Sequence, residues 1–175
     1  ECLVLVVDMQ ERLASVMGDW DATMNKTKLL IEGASLLNVD VAVTEQYPKG
    51  LGHTVAELAA AIPEKSAVIE KSSFSCFGAL EFTNHLRGKN ARTLVVCGVE
   101  THVCVLQTVR DAIARGYDVV LAADAVTSRN AFDKQIAFEF MRENGVQIRT
   151  VESILFDWLR DSTHPQFKTI SRLVR

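Results

Sequence analysis

Two rhythms of apolar and polar positions alternate along this chain. Residues 3–7, Leu3-Val4-Leu5-Val6-Val7, form an unbroken apolar run that stops at Asp8. Such a run, with no polar alternation, predicts a strand buried on both faces, as in a parallel sheet covered by helices. Similar runs predict strands over residues 39–44, 67–70, 93–98, 117–122 and 146–151. The last of these alternates apolar with polar, which suits a more exposed edge. Between them the apolar positions recur at helical spacing: Leu29, Leu30, Ala34 and Leu37 within 23–37, then 54–61, 80–86, Val105 to Ile113, and 132–143. Ile154, Leu155, Trp158 and Leu159 form a further stripe. Pro165 then opens a short last helix carrying Phe167, Ile170 and Val174. Asn90, Gly116 and the Asn144-Gly145 pair punctuate the ends of helices. Strand and helix patterns alternate without repeat, linker or low-complexity stretch. This predicts one domain over 1–175: α/β, a three-layer α/β/α sandwich on a six-stranded parallel sheet.

Composition narrows the function class. The 175 residues are 48% hydrophobic and 23% charged, with a formal net charge of −3. That balance gives no footprint for nucleic acid or an anionic membrane as partner. No apolar run is long enough to span a bilayer, and the N-terminal run lacks a basic flank and a small-residue cleavage site, so a cytoplasmic location is expected. Cys2, Cys76, Cys97 and Cys104 show no CxxC spacing and read as reduced thiols. Gly50 and Gly52 do not make a dinucleotide fingerprint, and no phosphate loop is present, so no cofactor is expected.

The chemistry concentrates where strands end. Asp8, Lys71 and Cys104 each follow a strand, and the carboxyl ends of parallel strands share one edge. A base, a cation and a thiol brought together there suit nucleophilic catalysis. Each has a plainer reading. Asp8 begins Asp-x-x-Glu and would serve as a helix N-cap, Lys71 as a solvated surface charge, and Cys104 as a buried core thiol. In the functional reading Thr101 caps the helix after 93–98 and Cys104 lies in its first turn, where free N–H groups stabilise a thiolate. That predicts Cys104 as the most readily alkylated thiol. A zinc site of Cys97, His102 and Cys104 is disfavoured, because at ~100° per residue His102 and Cys104 point to different sides of a helix.

Four runs carry a resemblance. They are Leu5-Val6-Val7-Asp8-Met9-Gln10, Glu70-Lys71-Ser72-Ser73-Phe74-Ser75, Cys97-Gly98-Val99-Glu100-Thr101-His102-Val103-Cys104-Val105, and Ala123-Asp124-Ala125-Val126-Thr127-Ser128-Arg129. In this order and spacing the chain is similar to the isochorismatase-like hydrolases, the cysteine hydrolase superfamily. The tail 161–168 looks most like the isochorismatase-domain-containing proteins of eukaryotes. The resemblance implies a catalytic triad of Asp8, Lys71 and Cys104. It also implies a non-proline cis peptide between Val99 and Glu100, and an oxyanion hole from the Glu100 and Cys104 N–H groups. Gln10, Gln46, Phe74, Phe77 and Thr101 flank these positions and are the expected lining of a substrate pocket. Nicotinamidases in the superfamily carry an Asp-x-His metal motif after the second strand. Here Glu45-Gln46-Tyr47 stands in its place, so no metal is expected. Phenazine-pathway isochorismatases lack the cysteine, and its presence favours covalent C–N hydrolysis of a small amide or ureide. Vinyl-ether hydrolysis with Asp8 as acid, and an interaction protein that keeps the fold without turnover, remain the alternatives. The resemblance further implies a homo-oligomer, for which the stripe of Trp158, Leu159 and Phe167 offers apolar surface.

Overall fold

A computed structural model describes residues 1–175. Its six strands are β1 (Cys2–Val7), β2 (Asp40–Gln46), β3 (Ala67–Lys71), β4 (Thr93–Val99), β5 (Asp118–Thr127) and β6 (Gln147–Arg149). All neighbouring pairs are parallel. The order across the sheet is β3-β2-β1-β4-β5-β6. The chain therefore builds outward from β1 to one side, then returns and builds to the other. The crevice for a ligand in such a sheet lies at that reversal, between the carboxyl ends of β1 and β4.

Nine helical segments cover the sheet: α1 (Glu11–Ala14), α2 (Trp20–Leu36), α3 (Pro48–Leu51), α4 (Ala56–Ala59), α5 (Leu80–Lys89), α6 (Leu106–Ala114), α7 (Ala131–Glu143), α8 (Val151–Leu159) and α9 (Phe167–Leu173). Because side chains alternate along a strand, each strand feeds two cores. Val4, Val6, Val41, Val43, Val95 and Cys97 pack with Leu30 and Ile31 of α2 and Ile154 and Leu155 of α8. Leu3, Leu5, Ile69, Leu94 and Val96 pack with Phe82 of α5, Val109 of α6 and Met141 of α7. The three layers follow from this division. No helix is long and apolar enough to cross a membrane.

Several boundaries differ from the pattern. β2 runs on to Gln46, past the expected end at residue 44, and residues 48–51 make a helical turn. β5 does not stop at residue 122 but continues to Thr127. Its register against β4 jumps between Val96 and Gly98, whose partners are Leu121 and Val126. The irregularity lets Asp124 turn aside, where its carboxylate accepts the Val151 N–H at 2.8 Å at the start of α8. A polar residue inside the strand thus reflects a bulge, not a turn. β6 shrinks to three residues. Gly98 has φ 110, and a Cβ there would run into the Val7 carbonyl of the adjacent strand. Close approach at the central β1–β4 ladder requires glycine at this position. The C-terminal stripe is not free surface: Leu159 is buried, and Trp158 and Phe167 pack on the core of α2 and α8. The apolar surplus lies instead on α7, where Phe132, Ile136 and Phe140 stand 65%, 47% and 39% exposed.

Candidate functional site

Asp8 leaves β1 at φ 52, in the left-handed region that Asp tolerates better than most side chains. It does not cap α1, whose N-cap position is Gln10. Its carboxylate instead turns into the sheet edge, 1% exposed. Oδ1 accepts the Thr44 hydroxyl at 2.7 Å and Oδ2 accepts Lys71 Nζ at 2.7 Å. Along β3 the inward positions are Ile69 and Lys71, so strand alternation alone carries the lysine inside. The ammonium has three protons and four acceptors around it: Asp8, Gln46 Oε1 at 2.7 Å, and the carbonyls of Phe74 at 3.0 Å and Ser73 at 3.2 Å. Lys71 has no proton to spare for a ligand. It is a fixed counter-charge, and the buried pair is satisfied on every side, as a buried ion pair must be. Burial pushes the Asp8 carboxyl above its ordinary range, while Lys71, Thr44 and Cys104 pull against that rise without cancelling it.

Cys104 comes from the other half of the chain. The peptide bond between Val99 and Glu100 is cis. A π-helical turn over Thr101–Val105 follows and leads into α6. Thr101 is not a cap: the N-cap position is Glu100, and the buried Thr101 hydroxyl donates to the Thr127 carbonyl at 3.0 Å. The Cys104 thiol is 8% exposed and close enough to Asp8 for each to influence the other's protonation, although it makes no side-chain hydrogen bond of fixed geometry. Burial first, and the Asp8 charge second, push the thiol up to about 12. Burial and the neighbouring Asp8 therefore work against the expected thiolate at a helix N-terminus and favour the protonated thiol. Cys97 lies in the opposite core, with its thiol against the Leu5 carbonyl at 3.6 Å, so it cannot share a zinc ion with Cys104.

Three of the five expected pocket residues present no free group. Gln10 is fully buried and laces the loop after β2, donating to the Gln46 and Gly52 carbonyls at 3.0 and 2.7 Å and accepting the Gln46 N–H at 2.7 Å. Thr101 is tied to Thr127. Phe77 is a core ring, 5.1 Å from Phe82 and 5.9 Å from Tyr117. Gln46 holds Lys71 with its oxygen and the Ser72 carbonyl with its nitrogen, at 2.7 Å each. Phe74 is 54% exposed, and a cleft of about 320 Å³ is lined in part by Tyr47, Glu70, Lys71 and Ser72. A larger concavity, about 780 Å³, lies along residues 11–22 and touches none of Asp8, Lys71 or Cys104.

Sequence reading missed Thr44, which orients Asp8, and the staple made by Glu45. The Glu45 carboxylate accepts the Thr54 N–H and hydroxyl at 2.7 and 2.8 Å and meets His53 Nδ1 at 2.9 Å. Burial pushes this carboxyl up, but Thr54 and His53 outweigh it and hold it below its ordinary value. The available signal was two polar residues closing an apolar strand at the crevice. Oxygens that would face a metal here are already engaged by protein donors. No group of three or more His, Cys, Asp or Glu side chains is arranged to hold an ion.

Residues 2–153 match the isochorismatase domain. Isochorismatase family protein 1B of Dictyostelium discoideum is 40% identical over 172 residues, covering 95% of this chain and 82% of that protein. A Caenorhabditis elegans structure described as MAR1 ribonuclease superposes with a TM-score of 0.95 at 35% identity, covering 99% of this chain and 89% of that one. The YcaC gene product of Escherichia coli, described as an octameric hydrolase of unknown specificity, superposes with a TM-score of 0.92 at 26% identity, covering 99% and 86%.

Proposed function

Because the chain belongs to the isochorismatase family, we propose that it is a hydrolase cleaving the C–N bond of a small amide or ureide through a thioester on Cys104. The observation that carries this reading is one cluster at the sheet edge: a thiol coupled to a buried carboxylate that is itself pinned by a saturated ammonium. Asp8 is a stronger base than a free aspartate because burial has raised it. The thiol is too weak an acid to ionise alone near neutrality, so its proton passes to Asp8 as sulfur attacks the carbonyl. The oxyanion falls to the N–H groups of Glu100 and Cys104. The Glu100 N–H has no acceptor within the chain, which suits that role. Asp8 then returns the proton to the departing amine. Water, deprotonated by Asp8, cleaves the thioester and regenerates the thiol. Neither cofactor nor metal enters these steps.

Trapping tests the reading. Hydroxylamine should divert the acyl group to a hydroxamate, and Cys104→Ser should lose turnover, because a hydroxyl replaces the effective nucleophile. Vinyl-ether hydrolysis with Asp8 as acid predicts instead that Cys104→Ser is tolerated and no adduct forms. An interaction protein without turnover has no activity for Cys104→Ser to lose. The nematode neighbour's description raises RNA cleavage as a second reading. The net charge of −3 gives it no electrostatic support, and a single-stranded RNA included in the substrate panel decides it. A homo-oligomer belongs to the same proposal, supported by the octameric neighbour and by the exposed apolar stripe of α7.

A further inference from the structure

Glu100 follows β4 and Arg129 follows β5, so they stand side by side at the same sheet edge as Asp8 and Cys104. Glu100 Oε2 accepts both the Arg129 backbone N–H and its Nε–H, each at 3.0 Å. The Glu100 side chain is 13% exposed, the Arg129 side chain 61%. The loop beneath is tied down by hydrogen bonds. The Ser128 carbonyl accepts the Gly18 N–H at 3.2 Å, Ser128 Oγ lies 2.9 Å from His102 Nδ1, and Asn130 Oδ1 accepts the Phe132 N–H at 2.8 Å. One edge of the guanidinium is thus spent on holding it still. The two terminal nitrogens have no acceptor in the protein. Other cations near this edge differ: Lys71 is saturated, and Lys134 Nζ donates to the Val126 carbonyl at 2.6 Å.

We propose that Arg129 is a specificity-determining residue: its fork, fixed by Glu100, receives a carboxylate on the substrate, which is therefore an acidic small amide or ureide. This rests on the reading of Cys104 as nucleophile. A planar guanidinium with two parallel donors matches a carboxylate bidentately. The residue that fixes the fork is also the one whose N–H is assigned to the oxyanion. Anion binding and acyl transfer are then referenced to one backbone segment, which is how binding energy is converted into orientation.

The test uses alkylation of Cys104 by N-(iodoacetyl)glycine and by its neutral glycinamide counterpart, followed by peptide mass mapping. In each reaction sulfur displaces iodide, forming a thioether and releasing a proton to buffer. Guanidine-unfolded protein supplies the reference ratio of the two rates. In the folded protein the acid should react about ten- to hundredfold faster relative to that reference, the range of a charge-assisted contact. Arg129→Gln should return the ratio to the reference, and Arg129→Lys, a charge without a fork, should recover only part. The neutral reagent's own rate reports whether each variant keeps an intact site. An unchanged ratio in wild type, or full preference in either variant, overturns the clamp while leaving the nucleophile untouched. Failure of both reagents to label Cys104 overturns the nucleophile, and the clamp with it.

Discussion

A single charge sets two opposed properties of Cys104. The thiol is pushed up to about 12 by burial and then by the Asp8 carboxylate, against the pull of Lys71. Asp8→Asn removes the second influence and leaves Lys71 unopposed. The thiol should then ionise at lower pH, and its alkylation by iodoacetamide should speed up at any pH below that range. Turnover should move the other way, down by about 10²–10⁴, because the proton acceptor is gone. Measuring both on one preparation checks the assignment; a joint fall in alkylation and turnover contradicts it. This also marks where residue-level reading of the sequence stopped. Asp8, Lys71 and Cys104 could be singled out because each lies at or just past the carboxyl end of a strand. Their protonation states could not, since these depend on how deeply the crevice buries them and on Thr44, Gln46 and the Phe74 carbonyl closing around them.

At the level of elements, the loop after β2 is held by Glu45, and that hold titrates. His53 is raised above its ordinary 6.5 by its hydrogen bond to Glu45 and by the Glu45 charge. The folded state therefore favours protonated His53. Its contribution to stability is complete below 6.5 and disappears as pH rises through the raised folded value. The proton resonances of His53 should titrate above 6.5 in the wild type and shift down toward it in Glu45→Gln. The melting temperatures of wild type and His53→Ala should differ at pH 6 and converge at high pH; a difference that grows with pH excludes the pairing. Elements were legible in the sequence to the extent that they were uniform. β1 and β4 are mostly apolar, and β1 ends where expected and β4 one residue later. β5 continues past the expected end at residue 122 through a bulge at Asp124, whose carboxylate accepts an N–H at the start of α8. The loop after β2 becomes strand and helical turn because Gln10 and Glu45 satisfy its backbone from a distance, and the local sequence does not show these long-range bonds.

The whole molecule leaves one face uncovered. Phe132, Ile136 and Phe140 recur every four residues along α7 as an exposed apolar stripe. Ile136→Glu should reduce the mass seen by light scattering at micromolar protein without lowering the helix content. An unchanged mass would locate the interface elsewhere. The stripe at Trp158, Leu159 and Phe167 could be recognised as apolar but not as occupied, because only the fold shows that α8 and α9 turn inward. The sheet order has one more consequence. β3, β2 and β1 come from the first half of the chain and β4, β5 and β6 from the second. Asn90 is an exposed left-handed residue just before the crossing. The cluster straddles that border, with Asp8 and Lys71 on one side and Cys104 on the other. Expressed as two polypeptides divided after Asn90, neither piece would carry the whole cluster. The β1–β4 ladder and the packing of α2 on β5 are the surfaces through which they recombine. Recovered turnover on mixing then serves as a reporter of whatever two fusion partners bring the halves together.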